Sequence, residues 1–236
     1  MHPTCTVCRG TPTGGYELSL HGEATCTGHP ALDRCVLCGR PRPERGAAGW
    51  LPFTGTSVRC PTCATGSVDT QEQARRHIRL VRSQLDGLGI RLDQRVRITL
   101  ADPDELNEVD HGSARLGRTA RRTWHGGRSE VLGIDVARGL TVWHFGAVTA
   151  HEIGHAWLTQ HGATGLRPML EEGTCELFSA AWLKKQPSPL AAALRRAIAD
   201  NPDPVYGNGY RAVRSAVVRH GVAAVLTSLS RHRRLP

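Results

Sequence analysis

The chain has 236 residues, 39% of them hydrophobic, with a formal net charge of +9, enough for one substantial core plus a small accessory module and too apolar for a wholly disordered chain. No apolar run approaches the roughly 18 to 20 residues that a membrane span needs, and the opening MHPTCTVCRG has neither the basic nor the apolar region of a signal peptide, so a cytoplasmic protein with no membrane partner is expected. Nearly all the positive charge is arginine, lysine occurring only at Lys184 and Lys185, and it is scattered (RLGRTARR, RHRRLP) among few aromatics; a solvated basic surface is expected, and nucleic acid is not an expected partner.

Seven of the eight cysteines lie before residue 64, and six of those form CxxC pairs. In a chain with no export signal that spacing reads as metal binding before disulfides. The pairs are Cys5 and Cys8, Cys26 and His29, Cys35 and Cys38, and Cys60 and Cys63. Two residues between ligands let a tight turn aim both side chains at one ion, and a second pair some 15 to 20 residues on closes a structural site. Sequential pairing gives Cys5, Cys8, Cys26 and His29 for one zinc and Cys35, Cys38, Cys60 and Cys63 for another. His2 and His21 are spare candidates for the place of His29. So Gly- and Pro-rich a stretch cannot close a core of its own, so metal binding should supply much of its folding energy.

Beyond the cysteines, a linker helix is expected over 70–89, where Ala74, Ile78, Val81, Leu85 and Leu88 recur at spacings of four and three. RVRITLAD alternates Val96, Ile98 and Leu100 with polar residues and predicts a strand, and SEVLGIDV, 129–136, predicts another. A helix is expected from about Phe145 to Gln160, with Gly162 placed to cap it. It carries His151-Glu152-Ile153-Gly154-His155. Residues four apart on a helix lie one above the other, so His151 and His155 can offer ring nitrogens to one zinc while Glu152 projects beside it.

Catalytic zinc requires a third protein ligand, which in His2Glu sites is a glutamate from the next helix. RPMLEEGTCELFSAAWLKKQP predicts such a helix, with Pro168 in its first turn, lysines in its last and Pro187 stopping it. Glu172 is the preferred ligand, because a ligand glutamate followed by glycine resembles the aminopeptidase-type pattern of zincins; Glu171 is the alternative. Glu176, one turn on, is a candidate acceptor for the N–H of a ligand histidine. Cys175 reads as a buried helix cysteine rather than a thiol nucleophile.

Several separated blocks resemble the plant LIM-domain peptidases activated by ubiquitin, the DA-one and DA-one-related family. They are CTGHPALDRCVLCGR, LADPDELNE, GLTVWHFGAVTAHEIGHAWL, LEEGTCELFSAAWL and VYGNGYRAVRSAVVRHG, in that order. The resemblance implies an α+β protein with a LIM-like, treble-clef module over 1–66 holding two structural zincs. A gluzincin-like zincin peptidase domain would follow over 67–236, with His151, His155 and Glu172 on a catalytic zinc and Glu152 as general base. The arginine-rich composition suggests a shorter, bacterial-type relative. The plant proteins carry ubiquitin-interacting segments and a first LIM domain ahead of this region, so ubiquitin dependence is not part of the expectation.

The expected activity is hydrolysis of peptide bonds in protein substrates, with zinc-bound water giving its proton to Glu152. Tyr206, Tyr210 and His220 are candidates to stabilise the oxyanion, and the 129–136 strand is a candidate for edge pairing with extended substrate. The alternatives are a zinc-built adaptor that docks protein partners through the LIM-like module, and a nucleic-acid-associated protease with weak or regulated activity.

Overall fold

A computed structural model describes the chain apart from residues 1–2, 13, 30–31, 44–46, 108–114 and 126–127; His2 therefore lies outside the described residues. The N-terminal part holds β1 (Tyr16–Leu18), β2 (Ala24–Cys26), β3 (Leu51–Pro52), β4 (Val58–Arg59), the short helix α1 (Pro61–Ala64) and β5 (Ser67–Val68). Then follow α2 (Gln71–Asp86), β6 (Ile98–Ala101), α3 (Pro103–Asn107), β7 (Gly117–Thr123), β8 (Ser129–Ala137) and β9 (Leu140–Thr141). The remainder is helical: α4 (Val142–Gln160), α5 (Pro168–Lys184), α6 (Pro189–Asp200), α7 (Tyr206–His220) and α8 (Val222–His232). The architecture is mixed α/β, with a cysteine-rich N-terminal segment.

The linker helix starts one residue later than the spacing suggests because Thr70 and Gln73 form a reciprocal capping box. It buries Ala74, Ile78, Val81 and Leu85. Each of the larger three contributes about 1.5–3 kcal/mol by leaving water. Both predicted strands form. Val96 and Ile98 are buried, and β6 runs parallel to β8, Ile98 opposite Ile134. On the other side β7 pairs antiparallel to β8, Thr119 opposite Ile134, with a bulge between Ala120 and Arg121.

The pairing of β6 with Ile134–Ala137 overturns the edge-pairing expectation for residues 134–136, while residues 129–133 pair with β7 alone among the described residues. Strand β8 is central, with both edges taken over Ile134–Ala137; the edge strands are β6 and β7, and the arginine-rich sequence of β7 hides any period-two apolar pattern.

Helix α4 is the axis of the molecule. Thr141 caps its first turn, its hydroxyl accepting from the His144 N–H, which places the start three residues before Phe145. It ends at Gln160, and Gly162, at φ +72°, takes the left-handed position beyond the cap. Phe145, Ile153, Ala156 and Leu158 are buried around its circumference, the composition of a helix enclosed on all sides. Its neighbours are α2, α5 and the β7–β8 hairpin. The core is continuous into the N-terminal segment: Cys35, Leu37, Cys38, Phe53, Cys60 and Cys63 belong to the same buried cluster as Phe145 and Trp182. Strands β5 and β9 pair just ahead of α4, Val68 opposite Leu140, fastening that segment to the helix start. Among the described residues no helix is long and apolar enough to cross a membrane.

Candidate metal centres and cleft

None of the eight cysteines is disulfide-bonded. Their ligand atoms gather as Cys5, Cys8, Cys26 and His29, and as Cys35, Cys38, Cys60 and Cys63, each set within 4.8 Å of one another. Sulfurs bound at about 2.3 Å to a tetrahedral zinc stand about 3.8 Å apart. The Cys8–Cys26 and Cys38–Cys60 sulfurs are 3.9 and 3.7 Å apart, and His29 Nε2 is 3.2 Å from Cys5 Sγ. Backbone N–H groups of Val7, Cys60 and Cys63 donate to sulfurs of their own quartets, as thiolate ligands require. The four sulfurs of the second set crowd so closely that they titrate together: bonds from Cys38 and its neighbours drive Cys35 down, and Cys35 drives Cys38 and Cys63 up. Both quartets have the donors and spacing to bind zinc. His21 lies beside the second quartet, Nε2 3.3 Å from Cys63 Sγ, and not in the position of His29.

A third set of donors forms where α4 crosses α5. Glu172 Oε2 lies 3.1 Å from His151 Nε2 and 3.5 Å from His155 Nε2. Nitrogen and oxygen ligands at about 2.0–2.1 Å from one tetrahedral ion stand about 3.3–3.4 Å apart, so the two separations from Glu172 suit ligands of one zinc ion. Glu171 turns to the other side of the ring, Oε1 3.1 Å from His155 Nδ1, and also takes Arg121 Nη1 at 2.7 Å. Glu176 Oε1 lies 3.5 Å from His151 Nδ1. The two imidazoles are thus bracketed by three carboxylates. Burial works against charge on both histidines, but Glu172 and Glu176 carry His151 well above the usual range, and Cys175, followed by Glu171 and Glu172, carries His155 above it. Burial likewise opposes ionisation of Glu172, and the two histidines outweigh it, bringing it down to about 2. A donor set this rich in carboxylate suits a cation.

The buried Cys175 has its Sγ within 4.8 Å of ligand nitrogens of both histidines and packs against Gly154. Its complete burial leaves a substrate no route to the sulfur.

These groups open into a cleft of about 610 Å³. One wall is β7, the other α6 and the start of α7. Glu152 is 6% exposed; Thr119 Oγ1 donates to its Oε2 at 2.6 Å. Gly117 makes that approach possible, because a Cβ there would stand 2.7 Å from Glu152 Oε1 and 2.7 Å from Val148 Cγ1. Of the three candidates for an oxyanion donor, only Tyr206 lines the cleft, stacked on His151 with ring centroids 6.3 Å apart. Burial, then the nearby Glu172 charge, pushes its phenol pKa up, so the hydroxyl keeps its proton. Tyr210 is buried within α7, and His220 is exposed at the far end of that helix.

Three contributors were not singled out from the sequence: Gly117 and Thr119 on β7, and His144 on the cleft floor. Thr119 and Thr123, β-branched residues two turns of the pleat apart, are the only local strand signal in GRTARRT. The apolar part of the wall, Leu194, Ala197 and Ile198, comes from α6, whose signature is Ser188 capping and Pro189 in the first turn.

Fold and site together define a mixed α/β protein with two cysteine-rich quartets and a histidine–carboxylate centre open to a cleft. The DA1-like family model, described as Protein DA1, matches residues 69–195, from α2 into α6, and the chain belongs to that family. Protein DA1-related 1 of Arabidopsis thaliana is 24% identical, over 95% of this chain and 54% of its own length. Protein DA1 of the same plant is 24% identical over 100% and 57%, and LIM domain-containing protein HDR3 of Oryza sativa subsp. japonica 22% over 97% and 61%. The chain thus spans a little over half the length of these curated relatives. No solved structure matches it.

Proposed function

We propose that this chain is a zinc-dependent peptidase of the His2Glu type acting on protein substrates, a zincin domain over 67–236 preceded by a LIM-like two-zinc module over 1–66. The observation that carries this reading is the convergence of His151 Nε2, His155 Nε2 and Glu172 Oε2 beside Glu152 at the floor of a cleft. A LIM-like reading of the module draws on the two quartets and on the name of the rice relative.

In this account His151, His155 and Glu172 hold the ion, while Glu171 and Glu176 accept from the Nδ1 atoms, fix the tautomers and raise ligand basicity. Zinc bound there supplies a Lewis acid and makes a coordinated water acidic enough to react near neutral pH. Glu152 takes the proton of the attacking water and returns it to the leaving amine. Thr119 holds one carboxylate oxygen and Gly117 leaves room for the other, which fixes how Glu152 sits on the cleft floor. Tyr206 O–H donates to the oxygen that gains charge as the carbonyl becomes tetrahedral. Among the described residues the second edge of β7 is unpaired, and it offers backbone donors and acceptors to an extended chain, a mode of binding that needs a peptide rather than a small molecule. That groove supports the reading of protein substrates.

The test is metal counting joined to proteolysis. With the three donor sets, the protein should bind three zinc ions, and His155→Ala two, with loss of peptide cleavage. Equal zinc content in the two proteins would overturn the ligand assignment.

A further inference from the structure

His144 takes no part in the chemistry above, yet it is 6% exposed and lies on the cleft floor. A buried imidazole is costly unless both nitrogens are bonded, and both are. Nε2 is 2.8 Å from the Leu37 carbonyl oxygen, 107 residues away in sequence, and Nδ1 is 2.8 Å from Thr141 Oγ1. A carbonyl only accepts, so Nε2 carries the proton and Nδ1 accepts from the Thr141 hydroxyl. That same hydroxyl oxygen accepts from the His144 N–H and caps α4. Burial pushes the His144 pKa down to about 4, which keeps the ring neutral and this tautomer in place.

Leu37 belongs to the turn between Cys35 and Cys38, two members of the buried cysteine quartet. The turn is closed by Gly39 N–H donating to the Cys35 carbonyl at 2.9 Å. His144 precedes His151 by seven residues, about 20° short of two full turns, so the two share one face of α4. A bond at His144 therefore resists both sliding and rotation of the helix that carries His151, Glu152 and His155.

We infer that His144 is a positioning residue: its Nε2–H bond to the Leu37 carbonyl locks helix α4 to the Cys35–Cys38 metal turn and so sets the His151–His155–Glu172 donors in register. Order in the cysteine quartet is thereby felt at the cleft through one side chain. The inference rests on the metal-site reading above but not on hydrolysis.

The experiment uses the full chain loaded with cobalt, because thiolate-bound cobalt absorbs in the near ultraviolet and cobalt on nitrogen and oxygen does not. Release to a chelator is followed for the native protein, His144→Phe, which keeps the ring volume and loses both bonds, and His144→Gln, whose amide N–H can still reach Leu37. Losses in metal affinity on removing a partner that orients ligands run about 10–100-fold, so His144→Phe should release the nitrogen–oxygen cobalt about 10-fold faster with its thiolate bands unchanged. His144→Gln should recover most of the native rate, and kcat should fall in His144→Phe with KM little changed. Native release in His144→Phe would overturn the inference, as would a Gln variant no better than Phe. Should His144→Phe fail to fold, Thr141→Val carries the test: it removes the donor to Nδ1, and unchanged cobalt release there would overturn the inference. If release depends on His144 but no variant or native protein cleaves peptides, the positioning role stands and the peptidase reading falls.

Discussion

Thr119 on the edge strand donates its hydroxyl to Glu152 Oε2 at 2.6 Å, while its oxygen also lies 3.1 Å from the Glu152 carbonyl. The sheet thereby orients the carboxylate that the helix supplies, and neither element alone would fix it. General acid–base catalysis contributes about 10²–10⁴-fold, and misaiming the base forfeits part of that, so Thr119→Val should lower kcat about 10-fold. Thr119→Ser should restore it. Steady-state kinetics with metal analysis checks this: zinc content should be native in both variants, and unchanged kcat in Thr119→Val would remove the orienting role.

Gly117 is the steric partner of that bond. An added methyl meets the Glu152 carboxylate and Val148 at 2.7 Å, with helix α4 behind them. Overpacking of this kind costs about 1–3 kcal/mol, so Gly117→Ala should lower the thermal midpoint by several degrees and reduce kcat/KM further than the stability loss explains. Calorimetry and kinetics on the same preparation decide it.

The three glutamates of α5 should separate by role. Glu172→Gln removes the atom that faces both Nε2 nitrogens and should abolish tight binding of the third zinc. Glu171→Gln and Glu176→Gln leave that atom in place and remove carboxylates from the Nδ1 side, so each should weaken zinc about 10–100-fold. Chelator competition reads all three. A Glu171→Gln variant that loses zinc as completely as Glu172→Gln would reverse the assignment.

Metal removal should act on stability as well as on chemistry. The second quartet is part of the common core, with Cys60 and Cys63 fully buried beside Phe53 and Leu37. Structural zinc contributes roughly 10–16 kcal/mol in small zinc domains, most of it as folding free energy. Stripping all zinc should therefore lower the unfolding temperature of the whole chain in one transition. A chelated protein that melts at the native temperature would contradict the shared core.

What could be read from the sequence was whatever rested on short spacing. Whereas the preference for Glu172 over Glu171 rests on a resemblance to the glutamate–glycine pattern of zincins, the pairing of the two quartets and the shared face of His151 and His155 follow from turns and helical periodicity, which operate over a few residues. The LIM-like segment's relation to α4 did not, because Leu37 and His144 are linked through a backbone carbonyl that no side-chain pattern records. Strand β7 escaped for a different reason. Its inward positions are Gly117, Thr119 and Arg121, chosen to fit Glu152 and Glu171 rather than to fill an apolar core, so binary patterning is silent there. Assigning an open edge to the whole of residues 129–136 was wrong for another reason: β6 takes the second edge of Ile134 to Val136, a long-range parallel pairing that the alternating pattern of a single strand does not record.

The central claim is that Glu152 works as a base beside a metal held by His151, His155 and Glu172. Incubating a proteome-derived peptide library with zinc-loaded native protein and with Glu152→Gln, and reading new termini by mass spectrometry, tests it most directly. The account predicts that both proteins hold the same zinc and that new termini arise only with the native chain. Cleavage that persists in Glu152→Gln, or native protein that holds the third zinc and cuts nothing, would contradict it.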